Sequence, residues 1–234
     1  MVNFHMACIC RHIVFVVFLY ATAIYSQECE AGFLWVEDVP SCCGAPAQHC
    51  FYETDLNILQ EMIDNSLDTI NLEMDDNEDG EIEPVELGLT EWVDGRLVAL
   101  DCFLSDIMNC NLAGPLPQNF GDLEYLEALW LNGNQFSGPI PESIGNLTNL
   151  ELLYLSDNAF TGPIPDSICN LNIDWNGANN WGVEYFNIHD NMICPPYPSC
   201  MDAETIGDQF CAESFADLNQ DNATNVLDVI ILVN

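Results

Sequence analysis

The chain has 234 residues, 38 of them acidic and only two basic, Arg11 and Arg96, for a formal net charge of −36. Such a surface excludes nucleic acid and anionic lipid as partners, because phosphate binding needs Lys and Arg to displace counterions, and it favours metal cations instead. Apolar residues make up 49% of the sequence, so a packed core is available, and a general adaptation to salt or solubility is the other reading of the acidic excess.

Residues 1–26 read as an export signal. Arg11 and His12 precede the apolar run from Ile13 to Ala21, and small residues at Ala21, Ala23 and Ser26 offer a cleavage region. The run falls short of the roughly 20 residues that a membrane-spanning helix needs. An uncleaved anchor is the alternative, and no later segment is long and apolar enough to span. Cleavage leaves Arg96 as the only strong cation of the mature chain.

Residues 27–53 are cysteine-rich. Ten cysteines follow the signal, and an even count in an exported chain points to disulfides. Clustering predicts that Cys29, Cys42, Cys43 and Cys50 pair among themselves. Cys102–Cys110, Cys169–Cys194 and Cys200–Cys211 are the simplest remaining pairs. A zinc site built on Cys42, Cys43, His49 and Cys50 is the alternative, disfavoured by ligand spacing.

Residues 54–95 predict a helical segment carrying a loop of hard oxygen ligands. Thr54 or Asp55 is placed to cap a helix with Leu56, Leu59, Met62 and Ile63 on one face. Asp75, Asn77 and Asp79 then stand at positions 1, 3 and 5 of a twelve-residue stretch, with Gly80 at the sharp turn. Glu81 offers its carbonyl at position 7, Glu83 stands at position 9 and Glu86 at position 12, where it can bind bidentately. This pattern fits the EF-hand loop and implies calcium as the cofactor. Only a short helix can follow before Trp92.

Residues 96–196 contain a repeat. Leu123, Leu126, Leu129, Leu131, Asn134, Phe136, Gly138, Ile140 and Pro141 recur, offset by 24, as Leu147, Leu150, Leu153, Leu155, Asn158, Phe160, Gly162, Ile164 and Pro165. The Leu-x-Leu core is a short strand with alternate side chains inward, the Asn bonds backbone as the chain turns, and Gly and Pro shape the return leg. One such coil cannot bury its apolar edge alone, so coils stack. Partial copies flank these two. Upstream, Leu112, Gly114, Leu116 and Pro117 follow a strand expected at 97–102, with Cys110 at the Asn position. Downstream, Val183, Phe186, Ile188, Asn191 and Ile193 follow about nine inserted residues. About four coils result.

These residues resemble the plant-type subclass of the leucine-rich-repeat family. The resemblance implies an α/β fold: a short solenoid with parallel strands on a concave face, disulfide-bearing caps at its ends, and recognition of ligands on that face. Aligning the strands places Trp130, Tyr154 and Asn187 in one column, with Ala99 as a possible first member. Ala128, Leu152 and Tyr185 form the next column, followed by Glu127, Glu151 and Glu184. Asn132, Ser156 and His189 lie on the other side. Aromatic rings beside Asn and Glu suit a sugar or an extended peptide, so Trp130, Tyr154, Asn132, Ser156, Asn187 and His189 are the candidate ligand-binding residues.

Residues 197–213 read as a C-terminal cap or linker, and residues 214–234 as a second calcium repeat. Asp217, Asn219, Asp221 and Asp228 carry oxygens at positions 1, 3, 5 and 12, Ala223 offers a carbonyl, and Asn222 replaces the glycine. This stretch resembles a single type I dockerin repeat, which implies a cohesin-like scaffold as a partner, although dockerins carry two repeats. No nucleophile elbow, phosphate loop or His-Glu-x-x-His is present, so catalysis is not expected. The expected function is a secreted or cell-surface module that binds a protein, peptide or glycan. Alternatives are a non-catalytic part of a polysaccharide-degrading complex and a structural, adhesive coat protein.

Overall fold

The computed structural model describes residues 29–36, 49–103, 110–178 and 182–211. The expectations for the export signal, for Cys42 and Cys43, and for the loop of Asp217, Asn219, Asp221, Ala223 and Asp228 lie outside the described residues.

The core strands are short because each carries one Leu-x-Leu turn of the solenoid. β4 (Arg96–Asp101), β6 (Ala128–Trp130), β8 (Leu152–Tyr154) and β10 (Phe186–Asn187) pair in parallel in that order. β3 (Leu89–Val93) closes one edge of this sheet by pairing antiparallel with β4. The turn between them is Asp94-Gly95, both with positive φ (49° and 77°), the backbone that a tight hairpin requires. Sequence reasoning expected a short helix after Glu86; the chain instead makes turns and enters β3, whose Trp92 packs on the core. A second parallel sheet forms on the return legs, in the order β5 (Ala113–Gly114), β7 (Gln135–Gly138), β9 (Ala159–Gly162) and β11 (Met192–Ile193). Gly138 and Gly162 end two of these strands with φ of 76° and 78°, the left-handed backbone expected of the bend.

Three asparagines tie the coils together. Asn134 Oδ1 accepts the Leu112 N–H (2.9 Å), and its Nδ2 donates to the carbonyls of Cys102 (2.7 Å) and Leu131 (3.1 Å). Asn158 repeats this with Phe136 N–H (3.0 Å), Leu131 (2.8 Å) and Leu155 (3.2 Å). Asn191 does so with Phe160 N–H (3.0 Å), Leu155 (2.9 Å) and Ile188 (3.0 Å). Each amide therefore satisfies groups on its own coil and on the coil before it. Inside, Leu129, Leu131, Leu153 and Leu155 are fully buried, and Phe136 stacks on Phe160 with ring centroids 5.8 Å apart.

Both ends are covered. β1 (Phe33–Trp35) and β2 (Cys50–Tyr52) pair antiparallel, tied by Cys29–Cys50, and lead into α1 (Glu53–Asp64), which buries Ile58, Leu59, Met62 and Ile63 against the first coil. With Cys50 in a disulfide, the zinc alternative loses that ligand. Asp55, one of the two expected helix caps, instead lies inside the first turn and is fully buried. It accepts from Arg96 Nε (2.9 Å), Arg96 Nη2 (3.1 Å) and the Leu97 N–H (3.0 Å), while the guanidinium lies over the rings of Tyr52 and Tyr125 at 4.0 and 4.2 Å.

Cys102–Cys110 forms as expected. The two C-terminal pairs are crossed relative to expectation: the bonds are Cys169–Cys200 and Cys194–Cys211. Proximity along the chain misled here. The backbone leaves β11 at Cys194 and doubles back past α2 (Ala203–Ile206), so Cys200 meets the preceding coil and Cys211 returns to Cys194.

Asn158→Ala removes the ladder amide, leaving the Phe136 N–H without its acceptor and the Leu131 and Leu155 carbonyls with only their donors from Asn134 and Asn191. A loss of about 2–4 kcal/mol is expected in urea unfolding. Asn149→Ala serves as the control: that residue is exposed and donates to the Glu124 carbonyl at the surface. It should change stability by no more than about 1 kcal/mol.

Candidate functional site

Strand register sets the rows of the concave face. Ala99, Ala128 and Leu152 are partners, and so are Asp101, Trp130, Tyr154 and Asn187. Asp101, not Ala99, is therefore the first parallel-strand member of the Trp130 row. A two-residue slip keeps every side chain on its face, so alternation alone does not distinguish the two registers. β3 extends both rows, since Leu89 pairs with Asp101 and Glu91 with Ala99. Leu89 and Glu91 are not legible from the repeat, because an antiparallel edge strand carries no repeat signature, and Asp101 is hidden by the two-residue slip in register.

The central row thus runs Leu89, Asp101, Trp130, Tyr154, Asn187. Trp130 and Tyr154 are half-buried, and Leu89 is 41% exposed. The Tyr154 hydroxyl donates to the Glu184 carbonyl (2.5 Å), which pins the ring to the last coil. Burial, with the Glu184 charge second, raises the Tyr154 pKa and keeps the phenol a donor. Glu127, Glu151 and Glu184 are all exposed along one flank. On the other flank Asn132 and Ser156 are 9% and 3% exposed, so they offer little surface to a partner. His189 is more open, with Nδ1 2.6 Å from Asp190 Oδ2.

The loop of residues 75–86 is arranged by its own side chains. Asp75 accepts the N–H groups of Asp79 (3.2 Å) and Gly80 (2.7 Å), Asn77 accepts that of Asp79 (2.9 Å), and Asp79 accepts that of Glu81 (2.9 Å). Glu86, only 4% exposed, accepts from Asp76 and Glu83 N–H, both at 3.1 Å. Gly80 takes the turn at φ 93°. A hydrogen bond with Glu86, then burial, then the charges of Glu86 and Asp79 push the Glu83 carboxyl up to about 7. Burial, followed by Glu86 and Asp75, raises Asp76. No Lys or Arg lies in the loop to offset these charges. The donor set is the all-oxygen kind that suits calcium. No three of its carboxylates, taking one oxygen from each, lie within 4.8 Å of one another, so the Asn77 amide and the Glu81 carbonyl are needed to complete the donor set.

Residues 125–147 and 149–171 each match the sequence family Leucine Rich Repeat. The fold is a short leucine-rich-repeat solenoid. Curated proteins include no match to the chain. Among solved structures it is similar to the PEPR1–AtPEP1 complex (25% identity, TM-score 0.47, covering 63% of this chain and 19% of that one). It is also similar to the BIR3–SERK2 complex from Arabidopsis thaliana (21% identity, TM-score 0.43, covering 66% of this chain and 77% of that one). A plant ice-binding protein aligns at 23% identity and TM-score 0.41, over 67% of this chain and 44% of that one. The chain thus spans about a fifth of the PEPR1 chain's length. The four disulfides among the described residues fit an oxidising, extracellular or cell-surface setting.

Asp101 is the one carboxylate in the aromatic row. Burial raises its pKa, against a smaller lowering by the Phe103 N–H. A raised native pKa means that its contribution is most favourable below the unfolded value of about 3.9 and is lost as pH rises through the native value. Asp101→Asn is therefore expected to melt higher than the parent at neutral pH, with the difference shrinking towards pH 3. Equal melting-temperature differences at pH 3 and pH 7 would contradict this.

Proposed function

We propose that this chain is an extracellular recognition module that holds an extended peptide or protein segment on its concave face. The observation that carries the reading is the continuous row Leu89, Asp101, Trp130, Tyr154 and Asn187, bordered by Glu127, Glu151 and Glu184. Adjacent strands lie about 4.8 Å apart, so five of them offer a face roughly 20 Å across, enough for several residues of extended chain. The rings supply rigid apolar contact, and the glutamates select for Lys and Arg in the partner. A glycan would use the same rings but gains less from a purely anionic flank. Export by residues 1–26 and attachment through the tail at 217–228 belong to the same reading of a secreted or surface-anchored binder, with binding rather than catalysis as its activity.

Selection from a random peptide display library tests it. Recovered sequences should be enriched in basic and aromatic residues. Trp130→Ala and Tyr154→Ala should each weaken a selected peptide by about tenfold or more, with circular dichroism at the assay temperature showing that both variants remain folded. Unchanged affinity in both variants would sink the assignment of this face.

The loop of residues 75–86 is proposed as a calcium site that braces the N-terminal cap, with Asp75, Asn77, Asp79, the Glu81 carbonyl, Glu83 and Glu86 as ligands. Calcium would neutralise the crowded Glu83–Glu86 pair. At a hundredfold excess over its Kd, calcium adds about 2.7 kcal/mol, a melting shift of about 5–10 °C. Glu86→Gln keeps an acceptor for the Asp76 or Glu83 N–H but loses the bidentate charge, and should abolish the shift. Calcium titration with no heat and no change in melting would remove this site.

A further inference from the structure

We propose that Asp157, His189 and Asp190 form a site for a divalent transition-metal ion of the zinc class, at the C-terminal end of the concave face. One ligand atom from each of the three lies within 4.8 Å of the others, the one such group of His, Cys, Asp and Glu among the described residues. His189 Nδ1 and Asp190 Oδ2 are 2.6 Å apart, and Asp157 joins them from the neighbouring coil. An ion held at about 2.0–2.1 Å in tetrahedral geometry separates its ligand atoms by roughly 3.3 Å, so small side-chain rotations bring all three into place. The mixed nitrogen and oxygen set distinguishes this site from the all-oxygen loop at 75–86, because imidazole suits zinc whereas calcium takes oxygens.

The backbone beneath the three side chains is held on several sides. Asp157 and Asp190 immediately precede the ladder residues Asn158 and Asn191, and each has φ 53°. Asp157 N–H donates to the His189 carbonyl (3.1 Å) and Asp190 N–H to the Asp208 carbonyl (2.8 Å). Gly207 packs so closely behind His189 that a Cβ there would lie 2.8 Å from the histidine Cβ. The carboxylates also lack a competing cation: Arg96, the only Lys or Arg among the described residues, is bound to Asp55. Three protein ligands leave a fourth position open, and His189 lies two residues along the chain from Asn187 in the central row. A partner on the concave face could supply that fourth ligand, although the metal site itself does not depend on the peptide-binding reading.

Zinc titration by calorimetry, on the full chain in millimolar calcium, tests the site separately from the loop at 75–86. One zinc per chain is expected. Asp157→Asn, Asp190→Asn and His189→Gln should each weaken it at least about tenfold, the lower bound for loss of even an outer-shell partner. Asn accepts the left-handed backbone that both aspartates adopt, so the two Asp variants keep the fold, checked by unchanged zinc-free melting. Absence of zinc binding overturns the site. So does zinc binding that retains its affinity in any one of the three variants.

Discussion

The asparagine ladder is the constraint on which the solenoid depends. A coil of 24 residues turns its backbone out of a strand and back again, and the turn leaves amides and carbonyls facing the interior, where water cannot reach them. Asn134, Asn158 and Asn191 each place one oxygen and one NH2 at that point, satisfying an N–H of the previous coil and carbonyls of both. Since each amide spans two coils, the ladder fixes their stacking distance and their phase. The strand rows above it, and the face they present, inherit that phase.

At the ends the ladder runs out, and different chemistry takes its place. In the first coil Cys110 stands where an Asn would be, and its disulfide to Cys102 holds the turn covalently. α1 and the buried Asp55–Arg96 pair close that end, using the one Lys or Arg of the described chain for structure rather than recognition. At the other end, Cys169–Cys200 and Cys194–Cys211 bind the last coil to the cap, and Gln209 donates to the carbonyls of Ile188 and Ile206. A short array cannot spread stability over many nearest-neighbour contacts, so its caps carry a large share.

The charge distribution follows from the same arrangement. With Arg96 committed to the interior, the exposed carboxylates have no Lys or Arg partner within the described chain. They collect at the loop of residues 75–86, along the glutamate flank, and beside His189. All three places invite cations from outside, whether metal ions or basic side chains. Glu83, pushed up to about 7 by its contact with Glu86, measures how far that crowding goes in the loop.

Repeat length, strand positions, the ladder asparagines and the Cys102–Cys110 bond were legible in the residues themselves, because each depends on local spacing and on alternation with a period of two. The oxygen-bearing side chains of residues 75–86 lie in one contiguous stretch, and their role as calcium ligands is a proposal read from that spacing. The first member of the Trp130 row, the fate of Asp55 and the pairing of the C-terminal cysteines were not legible. Each is decided by which distant segments meet: β4 against β6, α1 against Arg96, and the returning cap against the coil of Cys169. The meeting of Asp157 with His189 and Asp190 belongs to this second kind as well. Local chemistry determines a coil, and only the stacking of one coil on the next determines what its surface brings together.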